Sequence, residues 1–307
     1  MISTSWLLDI IEEDSIFELF FSDFDNNSAL FKGLSQSEIA NGLKQIDDMM
    51  KNNGYSFKYD MIQQLRIEHV INQFYVSPRM LDLNIWADTV MISNFRSLFS
   101  SYVTDAQLSA LSGTYRFLEP AAFAKATKDP NAMAFNNGVV SVMNLYYSDD
   151  IIKSNTSHES LHQISLKPTY CDPVSGFSIS KAGLRLDTWN PNEGSLTSKY
   201  IGINETVTEF LNELAMGKDY PTTEYCGYQP AVRRLRQILN MNIEGLDSEV
   251  IKKAYIDSDI TPLASAIDKI ASPNFFEDKL VPAFDKAIEG KLFKLDKIIL
   301  VLKILTS

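Results

Sequence analysis

Two of the chain's three histidines stand four residues apart, in His158-Glu159-Ser160-Leu161-His162. Side chains at i and i+4 meet only on an α-helix; along a strand they lie about 13 Å apart. If the two imidazoles act together, the pentapeptide must be helical. Both rings then converge on one point and suit a single zinc ion, with Glu159 beside it to take a proton from water. Two imidazoles do not complete a catalytic zinc site. A third protein ligand is needed, with one position left for water.

The candidate for that ligand lies in Gly202-Ile203-Asn204-Glu205-Thr206-Val207-Thr208-Glu209-Phe210-Leu211. Ile203, Val207, Phe210, Leu211 and Leu214 follow helical spacing, and Gly202 and Gly217 bracket the segment. Glu205 and Glu209 therefore project from one side. Like charges at this spacing cost about 0.2–0.5 kcal/mol. A metal and a neighbouring imidazole would relieve that conflict, with Glu205 as ligand and Glu209 accepting a hydrogen bond from the free ring nitrogen of a liganding histidine.

His158-Glu159-x-x-His162, followed downstream by Asn204-Glu205-x-x-Thr208-Glu209, resembles the gluzincin metallopeptidases. The resemblance implies Zn2+ held by His158, His162 and Glu205, with Glu159 as general base and Glu209 as the orienting acid. It also implies hydrolysis of a peptide or protein substrate. The stretch from Asn131-Ala132 to Val142 is similar to the zincin segment in which Asn-Ala leads into an edge strand passing the active site. A strand is expected over 138–147, and Asn137, Gly138, Val139 and Val140 are the expected place for an extended substrate to pair. A hydrogen-bond donor for the tetrahedral oxyanion is expected from Tyr225 or Tyr228, with Tyr220 as a further choice.

Plainer readings compete. Thr156-Ser157-His158-Glu159 also reads as a capping box opening a helix. Glu205 and Glu209 also read as an ordinary solvated face. The corresponding alternatives to an enzyme are a degenerate zincin fold used for binding, or a helical interaction protein with a chance motif.

Composition narrows the classes. The net charge of −11 argues against a nucleic-acid binder, which needs a basic footprint. Two cysteines, Cys171 and Cys226, are too few for a disulfide framework, although one bridge between them stays open. Residues 1–21 carry Asp9, Glu12, Glu13 and Asp14 with no basic leader, so a cytoplasmic location is the default expectation. Export without a cleaved signal would leave no trace. The apolar run Ile298–Leu302 is too short to span a bilayer.

The expected fold class is α+β and mainly helical. Residues 1–130 read as a helical region, with helices near Ser35–Met50 and Met61–Phe74, Pro78 as an interruption and a buried helix over Leu81–Phe99. Residues 131–307 read as a zincin-like domain with a small antiparallel-edged sheet. Its motif helix is expected over about 150–165, and its ligand helix over 203–216. The long connection between them holds one more strand within Phe177–Leu186. Further helices are expected over Ala231–Leu239, Ser248–Tyr255, Pro262–Ile270 and Phe276–Ile288.

Overall fold

The computed structural model describes residues 77–127, 132–136, 140–171, 178–190, 195–221 and 228–306. The expected helices near 35–50 and 61–74 lie outside the described residues, as do His69, Tyr225, Cys226, Asn137, Gly138 and Val139. The described chain is mostly helical with two small sheets.

Helix α1 (Pro78–Trp86) continues through a π-helical turn (Ala87–Met91) into α2 (Ile92–Phe99). Pro78 opens this helix rather than interrupting it. Ser77 caps the N-terminus by accepting from Met80 N at 3.3 Å, and a proline in the first turn has no N–H to leave unpaired. Met80, Leu83, Met91, Phe95 and Phe99 are buried, but Leu81, Ile85 and Val90 are exposed, so the helix expected to be buried over Leu81–Phe99 meets the core with one face only. The short α3 (Asp105–Ser109) leads to β1 (Tyr115–Leu118) and α4 (Pro120–Ala126).

Strand β1 pairs in parallel with β3 (Ser141–Asn144), and β2 (Ala134–Asn136) pairs antiparallel on its other side, giving the order β1-β3-β2. Two expectations change here. The strand expected over 138–147 is short and central, because partners occupy both its flanks. The boundary expected at 130 also runs through this sheet, since β1 comes from before it and β3 from after it.

Helix α5 (Asp149–Ile164) follows β3 and packs on it and on β2. Asp149 and Asp150 suit the positive end of its dipole. Arg79 fixes that end from α1: it bonds Asp149 Oδ1 at 2.8 Å, Leu145 O at 2.8 Å and Tyr147 O at 2.6 Å. The connection to the next helix is a four-stranded antiparallel meander, where sequence reading expects one strand. Its strands are β4 (Leu166–Cys171), β5 (Ser178–Ala182), β6 (Arg185–Asn190) and β7 (Ser195–Lys199).

Helix α6 (Ile201–Met216) runs beside α5. At Gly202 it meets α10 (Val281–Ile288) so closely that a Cβ would overlap the backbone at Phe284 and Asp285. Asp285 Oδ1 accepts the Gly202 N–H at 2.7 Å, satisfying one of the helix's unpaired first-turn donors. The helices expected after it match closely: α7 (Gln229–Leu239), α8 (Ser248–Asp257), α9 (Thr261–Ile270) and a π-helical turn (Phe276–Leu280) before α10; α11 (Phe293–Thr306) is a further helix beyond those expected. One apolar core joins α1 and α2 to α5, α6 and the C-terminal helices. A smaller one, with Leu118, Phe123, Val140 and Val142, lies under α4. Among the described residues no helix is long and apolar enough to cross a membrane.

Candidate metal centre

Helix α5 begins at Asp149, so Thr156-Ser157-His158-Glu159 is helix interior and the capping-box reading falls. Its many small polar residues are what let it lie buried against α6. Ser154, Thr156, Ser157 and Ser160 are all buried. Thr156 returns its hydroxyl proton to Ile152 O at 2.7 Å, and Ser154 accepts from Asn212 Nδ2 on α6 at 3.0 Å. Thr156 and Ser154 are satisfied in this way, whereas Ser157 Oγ and Ser160 Oγ are buried without a hydrogen-bond partner among the described residues.

This approach brings both halves of the motif together. His158 Nε2 lies 3.2 Å from His162 Nε2 and 3.2 Å from Glu205 Oε2, and His162 Nε2 lies 3.5 Å from Glu205 Oε2. The side chains of His158, His162 and Glu205 are only 10–12% exposed. Glu209 is 4% exposed, so it is no solvated face. Its Oε2 sits 2.7 Å from His158 Nδ1. An ionised carboxylate only accepts, so His158 donates from Nδ1 to Glu209.

The donor set fits a tetrahedral cation. Atoms about 2.0–2.1 Å from zinc at tetrahedral corners lie about 3.3–3.4 Å apart, and the separations of 3.2, 3.2 and 3.5 Å fall on either side of that spacing. Two imidazole nitrogens and one carboxylate oxygen are also a donor chemistry zinc accepts. His158, His162 and Glu205 could therefore hold a metal.

The electrostatics point the same way. Burial pushes His158 down, but its hydrogen bonds and charge contacts with Glu205 and Glu209 outweigh burial and hold the ring well above its ordinary value. Burial pushes Glu205 up, yet the charges and hydrogen bonds of the two histidines hold it well below the carboxylate range. Glu209 is likewise held down against burial, by His158, Tyr220 and Asn212. The two carboxylates thus favour positive charge at the point where a cation would sit. Glu159, on the same helix, is raised by burial, with partial compensation from the charges of His158 and His162.

Tyr228 stacks its ring on His158, with centroids 6.1 Å apart and planes 24° from parallel. Burial raises its phenol, so it keeps its proton and can donate. Tyr220 is committed elsewhere, its hydroxyl donating to Glu209 Oε1. Of the residues expected to pair with substrate, Val140 alone lies among the described residues. That residue is buried in the small core and precedes the central strand, and the outer strand of the sheet on this side is β2, directly after Asn131-Ala132.

Sequence reading missed Asn204, Asn212 and Tyr255. Asn204 is fully buried, and its Oδ1 accepts from Leu184 N at 2.8 Å and Arg185 N at 3.3 Å, pinning the β5–β6 turn to the ligand helix. The Asn-Glu pair at 204–205 was the one signal for it. Asn212 bridges α6 to Ser154 O at 3.1 Å, and nothing in the motif spacing marks it. Compared with protein-family models, with curated proteins and with solved structures, the chain matches none.

Proposed function

We propose that this chain is a zinc-dependent peptidase with a zincin-like catalytic unit, acting on a peptide or protein. One observation carries the reading: His158 Nε2, His162 Nε2 and Glu205 Oε2 converge at tetrahedral spacing between two helices. A zinc ion bound there would lower the pKa of a water and polarise a carbonyl. His158, His162 and Glu205 would hold it, and Glu209 would keep His158 oriented.

The chain's own residues supply the proton path. The Glu159 carboxylate takes a proton from the attacking water as the water oxygen adds to the carbonyl carbon. It returns that proton to the amine nitrogen as the C–N bond breaks. Burial raises Glu159 toward the working pH, which suits a group that must both accept and release. Tyr228, whose ring stacks beside His158, would donate to the developing oxyanion. A substrate in extended form would lie along β2, the strand that packs on α5 at the outside of the sheet.

The test is turnover of a broad peptide library by the wild type and Glu159→Gln. The variant should keep its fold and bound zinc while turnover falls about 10²–10⁴-fold. Retained zinc with near-normal turnover would contradict the mechanism.

A further inference from the structure

Helix α8 sends Tyr255 into the wall behind the motif helix. The residue is fully buried, and a Cβ at Gly183 would overlap its ring, so the β5–β6 turn closes over it. Its hydroxyl touches groups on two different helices: Thr208 Oγ1 on α6 at 2.9 Å, and His162 Nδ1 on α5 at 3.4 Å.

Counting protons gives these bonds a direction. Thr208 has one hydroxyl proton and gives it to Asn204 O at 2.8 Å. Towards Tyr255 its oxygen can therefore only accept. Tyr255 has a single proton to give, and it goes to Thr208 Oγ1. Towards His162 the phenol oxygen is left as an acceptor. His162 must carry its hydrogen on Nδ1, with the lone pair on Nε2.

We propose that Tyr255 is a positioning residue: it fixes His162 as the Nδ1–H tautomer and aims the Nε2 lone pair at the point shared with His158 Nε2 and Glu205 Oε2. The chain His162 Nδ1–H to Tyr255 O–H to Thr208 O–H to Asn204 O ends on the backbone beside Glu205. It thereby couples one ligand-bearing helix to the other through α8. Glu209 does the same service for His158, so each histidine has its own acceptor on the ring nitrogen that faces away from the ligand point. The consequence for metal binding rests on the proposed function; the proton count does not.

The experiment uses the full chain labelled with 15N, as wild type and Tyr255→Phe. Long-range proton–nitrogen spectra of the metal-free protein read the tautomer of the neutral His162 ring, and Zn2+ titration reads affinity. Wild type should show Nδ1–H. Tyr255→Phe should shift towards Nε2–H and bind Zn2+ about 10–100-fold more weakly. A wild-type His162 protonated on Nε2 overturns the proposal even if the variant does not fold. So does a folded variant with the wild-type tautomer and unchanged Zn2+ affinity. If the wild type binds no Zn2+, the metal reading fails while the wild-type spectrum still decides the tautomer.

Discussion

Glu209 gathers three donors on one buried carboxylate: His158 Nδ1–H, the Tyr220 hydroxyl and, at 3.4 Å, Asn212 Nδ2. With Glu205 it holds His158 well above the ordinary 6.5 in the metal-free protein. A raised folded value means stabilisation that is complete below the unfolded value and lost as pH climbs through the folded one. Glu205 and Glu209, held below the ordinary 4.5, contribute above that value and lose their contribution as pH falls through their lowered folded values. Melting of the chelated protein should therefore decline as pH rises from about 6.5. Saturating zinc should remove that decline, because the metal replaces the proton on the cluster. A melting temperature of the chelated protein that is flat or rising above pH 6.5 would argue against the coupling. At this scale the sequence was informative: His158-Glu159-x-x-His162 marked the two histidines, and Glu205 and Glu209 stood out only when their segment was taken together with it. It was silent on Tyr255, whose role depends on a helix that packs in from far along the chain.

At the scale of elements, the ligand helix is placed by what Gly202 lacks. Replacing it with alanine would gain roughly 1 kcal/mol of helix propensity at most. It would also drive a methyl into the α10 backbone at Phe284 and Asp285, which cannot yield as a flexible side chain would. Overpacking of this kind costs about 1–3 kcal/mol and shifts the backbone. Gly202→Ala should melt several degrees lower and bind zinc more weakly, since Glu205 rides on the same turn. Wild-type melting and affinity would show that the contact does not place the helix. The helices were readable because their apolar residues recur at helical spacing. The β4–β7 meander was not. Strands such as Ser178-Ile179-Ser180-Lys181-Ala182 and Ser195-Leu196-Thr197-Ser198-Lys199 carry one large apolar residue each, so their alternation is faint. Strand β1 is four residues long and gives no period to detect.

Across the whole molecule, the catalytic unit proposed here is not separable at residue 130. Phe95, Phe99, Leu108, Leu111, Tyr115 and Phe117 belong to the same core as α5 and α6. Strand β1 completes the sheet on which the motif helix rests. A fragment of residues 131–307 should lack a cooperative thermal transition and bind an apolar dye, because it exposes one side of that core. A sharp two-state transition would restore the boundary. The boundary was misplaced for a physical reason: a turn-rich segment marks a chain reversal, and only pairing partners tell whether the sheet continues beyond it.

The claim on which the rest depends is that His158, His162 and Glu205 bind zinc. Its most direct measurement is metal content by elemental mass spectrometry of the purified full chain, beside the double variant His162→Ala, Glu205→Ala. One zinc per chain in the wild type, lost in the variant, is the predicted result. No metal in either protein after zinc is added back would contradict the account and leave the convergence of the three side chains without a metal to explain it.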